Sequence, residues 1–228
     1  MEVGTLGKLL LLQLYQRLHK KEKENFLDRY QLKEFLLIAK QQEPNNVYTM
    51  LHVLAYTGLR KGELAALTWN DIDFTNQTLS VTKTGYYLNG NPYITSTKTN
   101  KSTRIISVDN STISLLKQWK LEQKKFLLSR GIPIKPDKKQ LIFSNDNNNL
   151  IYNAFLNEIL RKYPQYNITP HGFRHTHASL LFEAGASIKQ VQERLGHTNI
   201  NTTLEIYTHV TKEAEKESAE KFLKYMNL

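Results

Sequence analysis

Residues 71–81, Asp71-Ile72-Asp73-Phe74-Thr75-Asn76-Gln77-Thr78-Leu79-Ser80-Val81, decide the fold class, because here the hydrophobic spacing changes period. Apolar and polar residues alternate on either side of Asn76-Gln77, the pattern of two half-buried strands joined by a turn. Upstream the spacing is helical over 29–42 and 46–57, the second through Val47, Met50, Leu51, Leu54 and Ala55, with Gly58 as a natural stop. A short helix over Lys61–Thr68 buries Leu64 and Leu67. Downstream, Asn89-Gly90 marks a hairpin turn into Tyr93–Lys98, and Thr99-Asn100-Lys101-Ser102 turns the chain into Arg104–Val108. The expectation is a small three-stranded antiparallel sheet whose last hairpin, 93–98 against 104–108, carries Lys98 near its tip. The remainder reads as helices at 111–130, 150–162, 170–184, 188–195, 201–208 and 212–226, with a polar loop at Ser144–Asn149. The fold class is therefore α+β with helices predominating.

The chain of 228 residues is long enough to bury a sizeable core. It has no cysteine, which excludes disulfides, thiolate metal sites and cysteine nucleophiles. Its longest apolar run, Leu9–Leu12, is far short of the roughly 20 residues that span a bilayer, and no small-residue cleavage site follows it. These features predict a soluble, intracellular protein. The net charge of +10 is concentrated: residues 76–139 hold twelve basic residues against three acids, a local excess of nine. Solvated lysines on a helix face account for part of that excess, and charge alone does not choose nucleic acid over a membrane surface. One basic segment is nonetheless a plausible footprint for a phosphate backbone.

Chemistry-bearing residues gather near the carboxyl terminus. Thr169-Pro170 is an N-cap followed by Pro at the first helical position, opening a helix through His171-Gly172-Phe173-Arg174-His175-Thr176-His177. Phe173, His177, Leu180, Leu181 and Ala184 share its apolar face, so His177 reads as a packed core histidine. Arg174 borders that face one turn from His171, and the two can address one anion near a helix N-terminus. Ser187-x-x-Gln190 is a capping box, Gly196 ends the next helix, His197 follows at once, and Tyr207 comes ten residues later. Two other readings exist. His171, His175 and His177 have ligand-like spacing but point in different directions on a helix, without an acidic partner at i+4. Residues 186–195 and 199–208 resemble a helix-turn-helix, which leaves His171, Arg174 and Tyr207 unexplained.

Three boxes resemble the tyrosine recombinases, the phage-integrase family. Thr57-Gly58-Leu59-Arg60-Lys61-Gly62-Glu63-Leu64, followed by Leu67-Thr68-Trp69, is similar to the first-arginine box. His171-Gly172-Phe173-Arg174 resembles the His-x-x-Arg box, and Leu195-Gly196-His197 with Thr202-Thr203-Leu204-x-x-Tyr207-x-His209 resembles the nucleophile box. Order and spacing agree over about residues 26–210, and the likeness is greatest to integrases of phages and mobile elements of Gram-positive bacteria.

The resemblance implies a mainly helical catalytic domain over 26–210, a lead-in or linker remnant over 1–25, and a helical tail over 211–228 that either packs on its own domain or is exchanged between protomers. It implies that Tyr207 attacks a scissile DNA phosphate, leaving a 3′-phosphotyrosyl link and a 5′-hydroxyl. Arg60 and Arg174 would clamp the phosphate oxygens, His171 and His197 would assist proton transfer and phosphate hydrogen bonding, Lys98 would protonate the leaving oxygen, and Glu63 would support the site. Lys83, Lys101 and Arg104, in the basic segment, are expected to contact DNA; His175 is expected to be structural or phosphate-adjacent, not catalytic, and Trp69 a core anchor. The partners implied are double-stranded DNA attachment sites and a homotetramer on DNA, with an excisionase or host DNA-bending factor as candidate accessory proteins and a cytoplasmic, nucleoid-associated setting. No metal or other cofactor is expected: two guanidiniums supply permanent, fork-shaped donors to a phosphodiester, and a covalent link conserves the bond energy without ATP. The family usually carries core-binding and arm-binding modules ahead of this domain; the expectation is a catalytic domain without them, with weak affinity for DNA. The alternatives are a non-catalytic DNA-binding remnant and a strand-relaxing enzyme of the type IB topoisomerase kind.

Overall fold

The computed structural model describes residues 25–96 and 103–208, together with Met226. Lys98, Lys101, His209, the lead-in apart from Asn25 and nearly all of the tail lie outside the described residues.

Asp28 caps α1 (Arg29–Gln42), accepting from the backbone of Tyr30 and Gln31 while Gln31 returns a bond to the cap. The next helix, α2 (Asn45–Thr57), is apolar nearly all round, and such helices are buried; Met50, Leu51, Val53 and Leu54 are at most 1% exposed. Gly58 ends it at φ 64, in the left-handed region. A Cβ there would stand 2.6 Å from Leu195 and 2.8 Å from the His177 ring, so the position requires glycine twice over.

The helix α3 (Lys61–Ala65) stops earlier than the expected Thr68. Thr68 leaves it to bridge with Leu141, and the Leu67 carbonyl accepts from Ile142. Trp69 then anchors the core, 2% exposed, with its indole donating to Gln123 at 2.7 Å.

The strands are β1 (Ile72–Asp73), β2 (Thr78–Val81), β3 (Lys83–Leu88), β4 (Asn91–Ser96) and β5 (Arg104–Ser107). A three-stranded antiparallel sheet forms as expected, in the order β1-β2-β5, with Leu79 opposite Ile106. The expected hairpin of 93–98 with 104–108 does not. Instead β4 pairs with β3 in a separate ribbon, Leu88 opposite Asn91. Asn89 and Gly90, both at positive φ, close that ribbon with the two-residue turn whose twist suits a hairpin, and β5 is left to complete the edge of β2.

Helix α4 (Asn110–Ser129) is capped by Asp109, and α5 (Phe155–Leu160) is shorter than the expected 150–162. Leu150 is held in a bridge to Ser144, and the Asn153 side chain pairs both ways with the Tyr87 backbone, so the chain enters the helix late. The last elements, α6 (Pro170–Glu183), α7 (Ile188–Leu195) and helical residues 201–208, follow the sequence reading closely. The main core joins α1, α2 and the sheet; a smaller one gathers Ala178, Phe182, Val191, Leu195 and Ile206. Among the described residues no helix is long and apolar enough to cross a membrane.

Candidate active site

Helices end in unsatisfied carbonyls that carry partial negative charge. At the end of α7, three consecutive carbonyls each receive a different guanidinium. Arg104 Nε donates to Arg194 O at 2.7 Å, Arg174 Nη2 to Leu195 O at 2.6 Å, and Arg60 Nη2 makes a long contact to Gly196 O at 3.4 Å. Gly196, at φ 66, turns the chain so that His197 meets Arg174.

Arg174 comes from the first turns of α6, where Thr169 accepts from Gly172 N and Pro170 occupies the first position. The side chain is 2% exposed; Nη1 donates to Gly58 O at 2.8 Å and Nε to His197 Nε2 at 3.3 Å. The protein thus takes three of the five guanidinium N–H groups, leaving two for an anion. Burial, then Arg60 and Arg104 against Glu63, lowers the pKa to about 9, so the group stays cationic at neutrality.

Arg60 is the more open of the pair, its side chain 42% exposed. Its backbone N–H donates to Glu63 Oε2 at 2.9 Å and its Nη1 to Oε1 at 2.8 Å. Glu63, 3% exposed, also receives Arg104 through a two-pronged fork, Nη1 to Oε1 at 3.0 Å and Nη2 to Oε2 at 2.9 Å. Burial alone would raise the Glu63 pKa; Arg104 first and Arg60 second outweigh it and hold the carboxyl below its usual value.

His171 joins Arg60, Lys61, Asn157, Thr169 and Arg174 around a cleft of about 280 Å³. Desolvation, then the Arg174 and Arg60 charges, keep its pKa below the ordinary histidine value. A larger cavity of about 540 Å³ lies between α1, α2 and α6, but its lining is mainly apolar and contains neither Arg60 nor Arg174.

His197 accepts from Arg174 on Nε2, which assigns its proton to Nδ1, 2.9 Å from Thr203 Oγ1. Burial, then Arg174 and Arg60, drives its pKa to about 3. Thr203 lies in helical residues 201–208, and Tyr207 stands one turn further on the same face. The Tyr207 ring is 37% exposed and rests edge-on against Phe182 at 5.2 Å. Phe182 is eight residues past Arg174 on α6, about 12 Å along the axis.

The structure therefore brings together Arg60, Glu63, His171, Arg174 and His197, with Tyr207 tied to them through Thr203 and His197. Two residues expected at the DNA are otherwise engaged. Lys83 donates to the buried Asp71 at 2.8 Å and to Thr68 at 3.2 Å. Arg104 is only 9% exposed and faces Glu63 and α7. Strand alternation carried that signal: Arg104, Ile106 and Val108 are buried whereas Ile105 is 71% exposed. The three histidines of α6 diverge. His171 faces the cleft, His175 stacks on Phe26 at 5.2 Å, and buried His177 donates from Nδ1 to Ala55 O and accepts from Arg194 Nε, both at 2.9 Å. Sequence reasoning gave no role to the side chains of Arg194 and Thr203, and it missed the carbonyls of Gly58, Leu195 and Gly196 because backbone acceptors leave no mark on residue identity.

Comparison with known proteins agrees with this geometry. The sequence profile of the phage integrase family matches residues 25–214. The chain is 31% identical over 205 residues to the ICEBs1 integrase of Bacillus subtilis, covering 88% of this chain and 55% of that protein. It is 33% identical over 182 residues to the integrase of Staphylococcus phage L54a, covering 76% and 51%. It thus spans about half the length of these curated relatives. Among solved structures, the Tn1549 transposon integrase in complex with transposon right end DNA superposes with a TM-score of 0.70 at 25% identity, covering 88% of this chain and 67% of that one. The XerH site-specific recombinase bound to palindromic difH substrate, in a post-cleavage complex, gives 0.65 at 25% identity, covering 87% and 53%. An arginine pair, two histidines and a tyrosine set in this order on this fold, with the matched profile, place the chain in the phage integrase family.

Proposed function

We propose that residues 26–210 form the catalytic domain of a site-specific DNA recombinase that cuts and rejoins strands through a covalent bond to Tyr207. The convergence of Arg60, His171 and Arg174 on one cleft carries this reading. A phosphodiester is a singly charged anion whose transition state gathers more charge on its oxygens, and two guanidiniums are suited to receive it. Tyr207 Oη attacks phosphorus and the P–O5′ bond breaks. The strand is then held as a 3′-phosphotyrosyl ester, and the released 5′-hydroxyl takes up a proton, for which Lys98 is the family's donor. Tyr207's own proton passes to a neighbouring base, and attack by a 5′-hydroxyl reverses the step, so no ATP is consumed. A phenol of ordinary pKa near 10 needs cationic neighbours to act at neutrality. The structures of related integrases and recombinases with DNA support double-stranded DNA as the substrate. Assembly as a tetramer, with the 211–228 tail exchanged between protomers, completes the reading.

The test is covalent trapping on nicked duplexes carrying the ends of the element that encodes the chain. Wild type should yield an adduct in the presence of a metal chelator and without ATP, and Tyr207→Phe none. Site-independent relaxation of plasmid DNA would favour a type IB topoisomerase instead. Absence of any adduct at high protein concentration would favour a non-catalytic DNA-binding remnant.

A further inference from the structure

We infer that Arg104 is a positioning residue of the phosphate site, one that holds Glu63 and the end of α7 in register for Arg60 and Arg174 without touching DNA. The inference rests on the recombinase reading for its effect on rate, but its geometry stands alone. Among the described residues, Arg104 is the one side chain that bonds both Glu63, the anchor of Arg60, and Arg194 O, the carbonyl next to the one that Arg174 holds. Its Nε is spent on Arg194 O and both terminal nitrogens on Glu63, so the guanidinium spans β5, α3 and α7 in one plane.

The arrangement answers an electrostatic difficulty. Three guanidiniums crowded under one phosphate repel each other, and Glu63 and the α7 carbonyls oppose that repulsion. Among the described residues, the charged groups facing Glu63 are Arg60 at the start of its own helix, Arg104 from β5 and Arg174 from α6. With Arg104 gone, Arg60 would be the only cation among the described residues hydrogen-bonded to the buried Glu63. Glu63 would then bind a proton more readily and release Arg60, and Arg194 O would lose the Arg104 donor.

Two readouts on the full chain decide the matter, each compared among wild type, Arg104→Met and Arg104→Lys. The first is carbon-13 NMR of the Glu63 carboxyl, which needs no DNA. Arg104→Met should move its titration midpoint upward, and Arg104→Lys, which restores the charge, should bring it most of the way back. An unmoved midpoint in Arg104→Met overturns the inference whether or not the protein cleaves DNA. The second is single-turnover adduct formation at saturating nicked duplex, beside the Kd for intact duplex. Arg104→Met should slow the step about 100-fold, as a displacement of about 1 Å at a reacting centre does, with Kd within threefold of wild type. A weakened Kd with an unchanged rate would make Arg104 a DNA contact and overturn the inference. Should Arg104→Met fail to fold, Arg104→Lys decides: a compact ammonium lacks the planar fork that spans both Glu63 oxygens and Arg194 O, so its rate should fall about tenfold with Kd kept, and a wild-type rate overturns the inference. Failure of wild type to form an adduct would count against the recombinase reading only, since the carboxyl titration still decides for Arg104.

Discussion

The Nδ1 of His197 lies 2.9 Å from the Oγ1 of Thr203, a threonine with no exposed surface. That bond ties the turn after α7, where three arginines converge, to the helix that carries Tyr207. It also fixes the imidazole tautomer, since Nε2 is already occupied by Arg174.

Thr203→Val keeps the shape and removes the hydroxyl. A buried donor left unpaired costs about 1–3 kcal/mol, and the Tyr207 helix loses its tie to His197. Thermal melting should show that loss of stability, and adduct formation should slow by at least tenfold. Thr203→Ser should restore most of both; equal rates for all three proteins would refute a positioning role for Thr203.

The His177 pKa is lowered to about 4 by burial first and Arg194 second. A histidine whose folded pKa lies below its unfolded value of about 6.5 supports the fold above that pH and withdraws support as pH falls toward 4. Stability should therefore drop on acidification through this window, by up to about 1.4 kcal/mol per pH unit for this group. Urea denaturation at pH 7, 6 and 5 measures it, and His177→Gln should flatten the slope.

Gly58→Ala combines backbone strain at φ 64 with a Cβ set against Leu195 and His177. A loss of about 2 kcal/mol or more is expected from strain and overpacking together. Because Gly58 O accepts from Arg174, cleavage should fall as well. A melt indistinguishable from wild type would show that the crossing is looser than drawn.

Gly172→Ala tests the junction between Asn25 and the start of α6. The new Cβ would come within 2.4 Å of Asn25 Oδ1 and 2.5 Å of its carbonyl oxygen. Asn25 accepts from Thr169 N at 2.9 Å and donates to its hydroxyl at 2.8 Å, so displacement would unseat the cap of α6. Limited proteolysis near residue 25 should accelerate, and the melting temperature should fall.

Lys83→Met should cost stability, about 1–2 kcal/mol, because it strips a buried carboxylate of its counter-charge. Asp71 keeps its bonds from Thr68, which limits the loss. Affinity for duplex DNA should stay close to wild type. A large fall in affinity would return Lys83 to the DNA surface.

Local patterns carried most of the architecture. The cap of α6 at Thr169, the capping box at Ser187 and the stop at Gly196 are written in adjacent residues, and the helices obey them. The strand pairing was less legible, since period-two segments reveal faces but not neighbours. Asn89-Gly90 named its turn correctly, yet the partner of β4 lay before that turn and not after it. Motif spacing likewise singled out Arg60, His171, Arg174 and His197, side chains that the fold brings together. It could not show that Arg104 points inward, because a basic residue in a basic segment looks like a surface cation until its strand register is followed.

The end of α7 also sets a limit on chain length. Its last carbonyls are addressed one by one, Arg194 by Arg104, Leu195 by Arg174 and Gly196 by Arg60. Inserting or deleting one residue within 188–195 would rotate the helix end by about 100° and shift it by about 1.5 Å. Every guanidinium would then meet the wrong oxygen at once. Sequence drift is tolerable along this helix, but a change in its residue count is not.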